Sequence, residues 1–155
     1  RGVAPEVIER AGEMLFSPGI SVVPEATTAR EAVDVHAMHD PTEGGVATGL
    51  FELASASHVG LEVDEEALHL SPESARLCGE FDLNPFGVIS SGALLVGCPE
   101  SASAAIIDAL SQAGIRADAV AAVRPVEFGL KLRRGRNLVP LPRFAVDEIT
   151  RLFAS

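Results

Sequence analysis

The sequence predicts an α/β sandwich in which helices cover a mixed β-sheet. Three observations carry this. Apolar residues at helical spacing alternate with short strand-like runs along the whole chain. Residues 93–123 read as a β-α-β unit. An apolar run, Ala93-Leu94-Leu95-Val96, is followed by a helix with the face Ala102, Ala105, Ile106, Ala109 and Leu110, a Gly114 cap, and a strand over 117–123. Residues 128–132 and 138–141 read as a hairpin around Arg134-Gly135-Arg136-Asn137. A crossover unit and a hairpin in one chain favour a mixed sheet over a purely parallel one.

The remaining elements follow in order. Residues 5–16 place Val7, Ile8, Ala11, Met14 and Leu15 on one helical face, and Ser17-Pro18-Gly19 breaks that helix. An Ala- and Glu-rich stretch over 25–33 is a second helix. Residues 35–39 form a short strand, because Pro41 biases Asp40 toward extended backbone. Val46, Leu50, Leu53 and Ala54 mark one face of a helix running to Ser57. Val59, Leu61 and Val63 alternate with Gly60, Glu62 and Asp64, as in a half-buried strand. Pro72 opens a helix over 72–81. Residues 146–153 read as a closing helix.

Composition narrows the function classes. The chain has 155 residues, 47% hydrophobic and 22% charged, which suits one domain with a real core. No apolar run reaches the length a membrane span needs, and no signal peptide is visible. A net charge of −10 and the lack of Trp and Tyr argue against nucleic acid as the main partner. Cys78 and Cys98 form neither a disulfide framework nor a metal-spaced pair, so a reduced, cytoplasmic setting is expected.

The sharpest motif is His39-Asp40-Pro41-Thr42-Glu43-Gly44-Gly45. Two readings stand. In one, Asp40 caps the next helix, Pro41 is its first residue and Glu43 reaches back as reciprocal partner. Two glycines would then sit early in the helix, each costing about 1 kcal/mol against alanine. In the other, the glycines adopt positive φ or admit a close approach, and their N–H groups cradle an anion at the helix entrance. Thr42 adds a hydroxyl. Asp40 and Glu43 add carboxylates, which imply a cation or a substrate donor beside the anion.

Residues 36–50, His36-Ala37-Met38-His39-Asp40-Pro41-Thr42-Glu43-Gly44-Gly45-Val46-Ala47-Thr48-Gly49-Leu50, resemble the start of the C-terminal domain in the aminoimidazole ribonucleotide (AIR) synthetase superfamily. The Asp-Pro-Thr-x-Gly-Gly form is most similar to the hydrogenase maturation factor (HypE) branch. Ile89-Ser90-Ser91-Gly92-Ala93-Leu94-Leu95 resembles the family's second small-residue turn, and residues 18–23 resemble the segment before the domain. The resemblance covers residues 5–142. It implies partial ferredoxin-like topology. It also implies a two-domain protein that dimerises through its N-terminal domain, with ATP and Mg²⁺ bound mainly by that domain. Residues 1–20 would be a helix and linker leaving the missing N-terminal domain, and 21–155 the C-terminal domain.

On that resemblance the chain is the substrate-side half of an ATP-dependent enzyme that activates a substrate by phosphoryl transfer. Asp40 and Glu43 would be catalytic. Thr42, Gly44, Gly45, His39, Ser90 and Ser91 would hold a phosphorylated small molecule. The chain alone is expected to bind no cofactor and to leave ATP intact, having no glycine-rich triphosphate loop. A non-catalytic ligand-binding or interaction module of the same fold is the alternative. HypE proteins end in a tail with a terminal cysteine, whereas this chain ends Arg151-Leu152-Phe153-Ala154-Ser155, so carbamoyl dehydration does not carry over.

Other candidates are plainer. His36 and His39 lie on opposite faces of the expected strand, so no metal site is expected there. His58 and His69 read as surface residues. Lys131, Arg133, Arg134 and Arg136 read either as a solvated hairpin tip or as a contact for acidic or phosphate groups. Ser90 and Ser91 read equally as ligand donors or as groups that satisfy a strand end.

Overall fold

The computed structural model describes residues 2–153. Arg1, Ala154 and Ser155, the extremes of the expected linker and C-terminal domain, lie outside the described residues. The helices are α1 (Pro5–Glu13), α2 (Val23–Ala32), α3 (Gly45–Ser57), α4 (Pro72–Phe81) and α5 (Ser103–Gln112). The strands are β1 (Ala37–His39), β2 (Gly60–Asp64), β3 (Leu95–Gly97), β4 (Ala121–Arg124), β5 (Leu130–Arg134) and β6 (Asn137–Pro140).

Two sheets form. β1 and β3 pair antiparallel, with His39 opposite Leu95. The second sheet has the order β4-β2-β5-β6. Its central pair, β2 and β5, is parallel, while β4 and β6 run antiparallel to their neighbours. The expected mixed sheet is therefore present. The expected β-α-β unit over 93–123 is corrected: β3 joins β1, and β4 joins β2, so α5 links two different sheets. Strand β4 is also shorter than the stretch 117–123, and all four of its residues are exposed. An apolar run fixes that a strand forms but says nothing of its partner.

Alternation along β2 and β5 builds the main core. Val63 and Leu132 are fully buried, and Leu61 joins them against Leu50 and Ala54 of α3. Each such side chain contributes about 1.5–3 kcal/mol by leaving water. A second cluster sets Ala29 of α2 against Ile106 and Leu110 of α5. Strand β3 divides the two, with Leu95 in the first cluster and Val96 packed on the second. That is the two-sided burial expected of a continuous apolar run.

Local chemistry sets the ends. Ser71 Oγ accepts the Ser74 N–H at 3.1 Å, and Pro72 opens α4. Helix α1 stops at Glu13, short of the expected residue 16, in an irregular turn over Leu15–Gly19. The closing helix over 146–153 is reduced to one tight turn, Glu148–Leu152. Val146 and Phe153 stay exposed there, so no buried apolar face extends the turn into a helix.

Candidate functional site

The motif loop runs from the end of β1 to the start of α3. Its side chains divide cleanly. Asp40, Thr42 and Glu43 are exposed, while Pro41, Gly44 and Gly45 are buried. Asp40 does not cap the helix. Gly44 is the residue before the first turn, and no side chain of its own caps that end. Gly44 and Gly45 both have positive φ, +76° and +68°.

The need for glycine is a close approach by protein. A Cβ on Gly45 would lie 2.4 Å from the Phe86 carbonyl oxygen and 2.7 Å from that of Val88. One on Gly44 would meet Thr48 Oγ1 at 2.4 Å. The start of α3 thus packs directly on the backbone of residues 86–88.

The amides at this entrance are already bonded. Gly45 N–H donates to the Thr42 carbonyl at 3.1 Å. Gly44 N–H donates to Asp147 Oδ2 at 2.8 Å, across 103 residues of sequence. Asp147 is 7% exposed, and its Oδ1 accepts the Ile149 N–H at 2.9 Å. A carboxylate of the chain itself therefore occupies the helix entrance. Sequence reasoning missed Asp147. The available signal was local: Asp-Glu at 147–148 is a helix-start signature, and its Oδ1 does cap the last turn.

The second small-residue turn lies against the motif loop. Ser90 Oγ donates to the Pro41 carbonyl at 3.1 Å, and Ser90 N–H donates to the Thr42 carbonyl at 3.3 Å. Ser90 therefore ties the two segments together, while Ser91 is exposed beside them. Gly92 is close to Gly19 and Ile20, where an added Cβ would sit 3.1 Å from the Gly19 carbonyl oxygen. Residues 18–23, 40–45 and 89–92 are thus brought to one place.

His39 lies against α3. Its Nε2 lies 2.8 Å from Glu52 Oε2 on α3. Gly45, Gly49 and Glu52 are spaced i, i+4, i+7 and share one stripe of that helix. The missing side chain of Gly49 makes room: a Cβ there would come within 2.5 Å of Pro41 Cβ and 3.3 Å of His39 Cδ2. Glu52 was not expected as a site residue, although this stripe was readable.

The remaining candidates resolve simply. Among the described residues no cluster of three His, Cys, Asp or Glu could hold a metal ion. In the basic hairpin, Arg134 Nε and Nη2 donate to the two Glu65 oxygens at 2.7 Å each. That fork holds the Glu65 carboxyl below its usual range. Glu62 accepts Arg124 on one oxygen and pairs with Arg133 on the other.

Comparison with known proteins matches these elements to a family. The family model described as "AIR synthase related protein, C-terminal domain" matches residues 18–129. Carbamoyl dehydratase HypE of Rhizobium leguminosarum is 44% identical over 73 residues, covering 46% of this chain and 21% of that protein. A putative hydrogenase expression/formation protein of Methanocaldococcus jannaschii is 25% identical over 116 residues, covering 72% of this chain and 35% of its own. The crystal structure of Escherichia coli HypE superposes with a TM-score of 0.75 at 25% identity, covering 84% of this chain and 42% of that one. A HypE crystallised in complex with ATP superposes at 0.68 with 25% identity, covering 76% and 38%. The chain spans less than half the length of these relatives. With the motif loop and the second turn both in the matched region, the chain belongs to the AIR synthase related family and is its C-terminal domain, of the HypE type.

Proposed function

We propose that this domain is the substrate-side half of an ATP-dependent enzyme that activates its substrate by phosphoryl transfer. One observation carries the reading: Asp40, Thr42, Glu43 and Ser91 stand exposed together on a framework that Ser90 and the two glycines make rigid. Preorganised polar groups of this kind position a reacting group rather than fill a core. A HypE relative has been crystallised with ATP, which gives the nucleotide its place in the reading.

The residues here do not fit a triphosphate: the Gly44 amide is taken by Asp147, and the loop side chains are acids and a hydroxyl with no cation among them. Among the described residues no group of three His, Cys, Asp or Glu gathers to hold its Mg²⁺. Nucleotide and metal are therefore assigned to an upstream domain, packed where Ile20 and Ile89 are exposed beside the second turn. In this reading Asp40 and Glu43 accept hydrogen bonds from donors on the substrate, and Thr42 and Ser91 bind its phosphate or other acceptor. The whole protein works as a homodimer in the cytoplasm.

A second reading has its own support. Asp147 holds the Gly44 amide, and on this reading the domain keeps the fold as a non-catalytic binding or interaction module. The full-length protein given ATP and Mg²⁺ separates the two. Release of ADP, lost in Asp40→Asn and Glu43→Gln, supports the enzyme. Nucleotide binding with no ADP released supports the module.

A further inference from the structure

We infer that His39 is the proton acceptor of this site and that Glu52 is its positioning residue, an assignment that rests on the phosphoryl-transfer reading above. The geometry points to it in three ways. His39 is the last residue of β1, fixed opposite Leu95, and it leads directly into the motif loop. Its Nε2 is 2.8 Å from Glu52 Oε2, on a helix whose Leu50 and Ala54 are buried in the core. Both partners therefore ride on rigid elements. Gly49 clears the surface of α3 where the imidazole lies, so the ring reaches Glu52 without a side chain between them.

The contact sets the chemistry. A carboxylate only accepts, so Nε2 carries the hydrogen and Nδ1 is left with its lone pair. The same carboxylate stabilises the imidazolium once Nδ1 takes a proton. The side chains are 32% exposed for His39 and 54% for Glu52, so the ring is partly sheltered yet still open at an edge. His36, His58 and His69 are all exposed, and none has an acidic partner among the described residues. The ionisable groups around His39 are Glu52 from α3, Asp40 and Glu43 from the loop, and His36 just before β1. Strand β3 brings none.

With water as the nucleophile, the step balances as follows. Nδ1 of His39 takes one proton from water as the water oxygen bonds to the γ-phosphorus of ATP. The bond from that phosphorus to the β,γ-bridging oxygen breaks, and its electron pair leaves with ADP. A substrate hydroxyl replaces water in the activation reaction by the same accounting, and an amide does so with its oxygen bonding to phosphorus while its nitrogen gives up the proton.

The experiment is steady-state ADP release by the full-length protein with ATP and Mg²⁺, across pH. His39→Asn should lower kcat by about a hundredfold or more, with KM for ATP unchanged. Glu52→Gln should lower kcat by less. Glu52→Asp should restore part of that loss, because it keeps the acceptor that fixes the ring. Nitrogen NMR of the wild type, which needs no variant to fold, should show His39 protonated on Nε2 at neutral pH. An unchanged kcat and pH profile in His39→Asn, or a proton on Nδ1, overturns the assignment and leaves the phosphoryl-transfer reading standing. No ADP release by the wild type ends both.

Discussion

The two halves of the motif loop do different work. Asp40, Thr42 and Glu43 are exposed, whereas Gly44 and Gly45 are buried at positive φ, Gly45 pressed on the backbone of residues 86–88 and Gly44 bonded to Asp147. Six adjacent residues thus combine a chemical edge and a structural joint. The contrast teaches that glycine pairs in a binding motif need not face the ligand. Here they let two backbones meet so that the neighbouring side chains are held still.

Gly45→Ala tests the joint most severely. The added methyl meets two carbonyl oxygens and forces alanine to positive φ, so unfolding stability should fall by about 2 to 4 kcal/mol. A variant as stable as the parent in urea would show that the helix entrance is pliant. Asp147→Ala comes next. It strips the buried Gly44 amide and the last helical turn of their acceptor, and should cost about 1 to 3 kcal/mol. The exchange of the Gly44 amide hydrogen should quicken in parallel.

Acid should act on the same joint more weakly. Glu148 accepts the Asn84 N–H at 3.0 Å and, second, pairs with Arg151, which together hold its carboxyl below the usual range. A depressed value gives stability that is present above the unfolded carboxyl's range and lost as pH falls through the folded one. Amide exchange at Asn84 should therefore accelerate on acidification below the usual glutamate range, and Glu148→Gln should flatten that response. The exposed edge closes the series. Asp40→Asn and Thr42→Ala should change stability by no more than about 0.5 kcal/mol. A larger loss in either would mean that the exposed half is structural too.

Much of the fold was legible. Helix α4 occupies residues 72–81 as read, because Ser71, Pro72 and the local spacing all agree. The β2 alternation correctly placed Leu61 and Val63 inside. Pairing was not legible: the run around Leu95 is equally compatible with a neighbour in either sheet, and β4 followed β2 instead. The closing helix failed for the related reason that Val146 and Phe153 found nothing to pack on. At the site, sequence named the loop and the second turn but not what holds them. Asp147 is 103 residues from Gly44, and such a contact leaves no local pattern. Glu52 was nearer to hand, since Gly45, Gly49 and Glu52 form a visible helical stripe.

That long-range hydrogen bond also has a consequence for how the protein is made. On the ribosome Gly44 emerges long before Asp147, so α3 can form while its entrance lacks a partner. The loop takes its final shape only after the last turn of the domain is synthesised and folds back. A chain stalled or clipped before Asp147 would carry every residue of the motif and still present it unlocked. The state of the Gly44 amide therefore reports whether translation has passed Asp147.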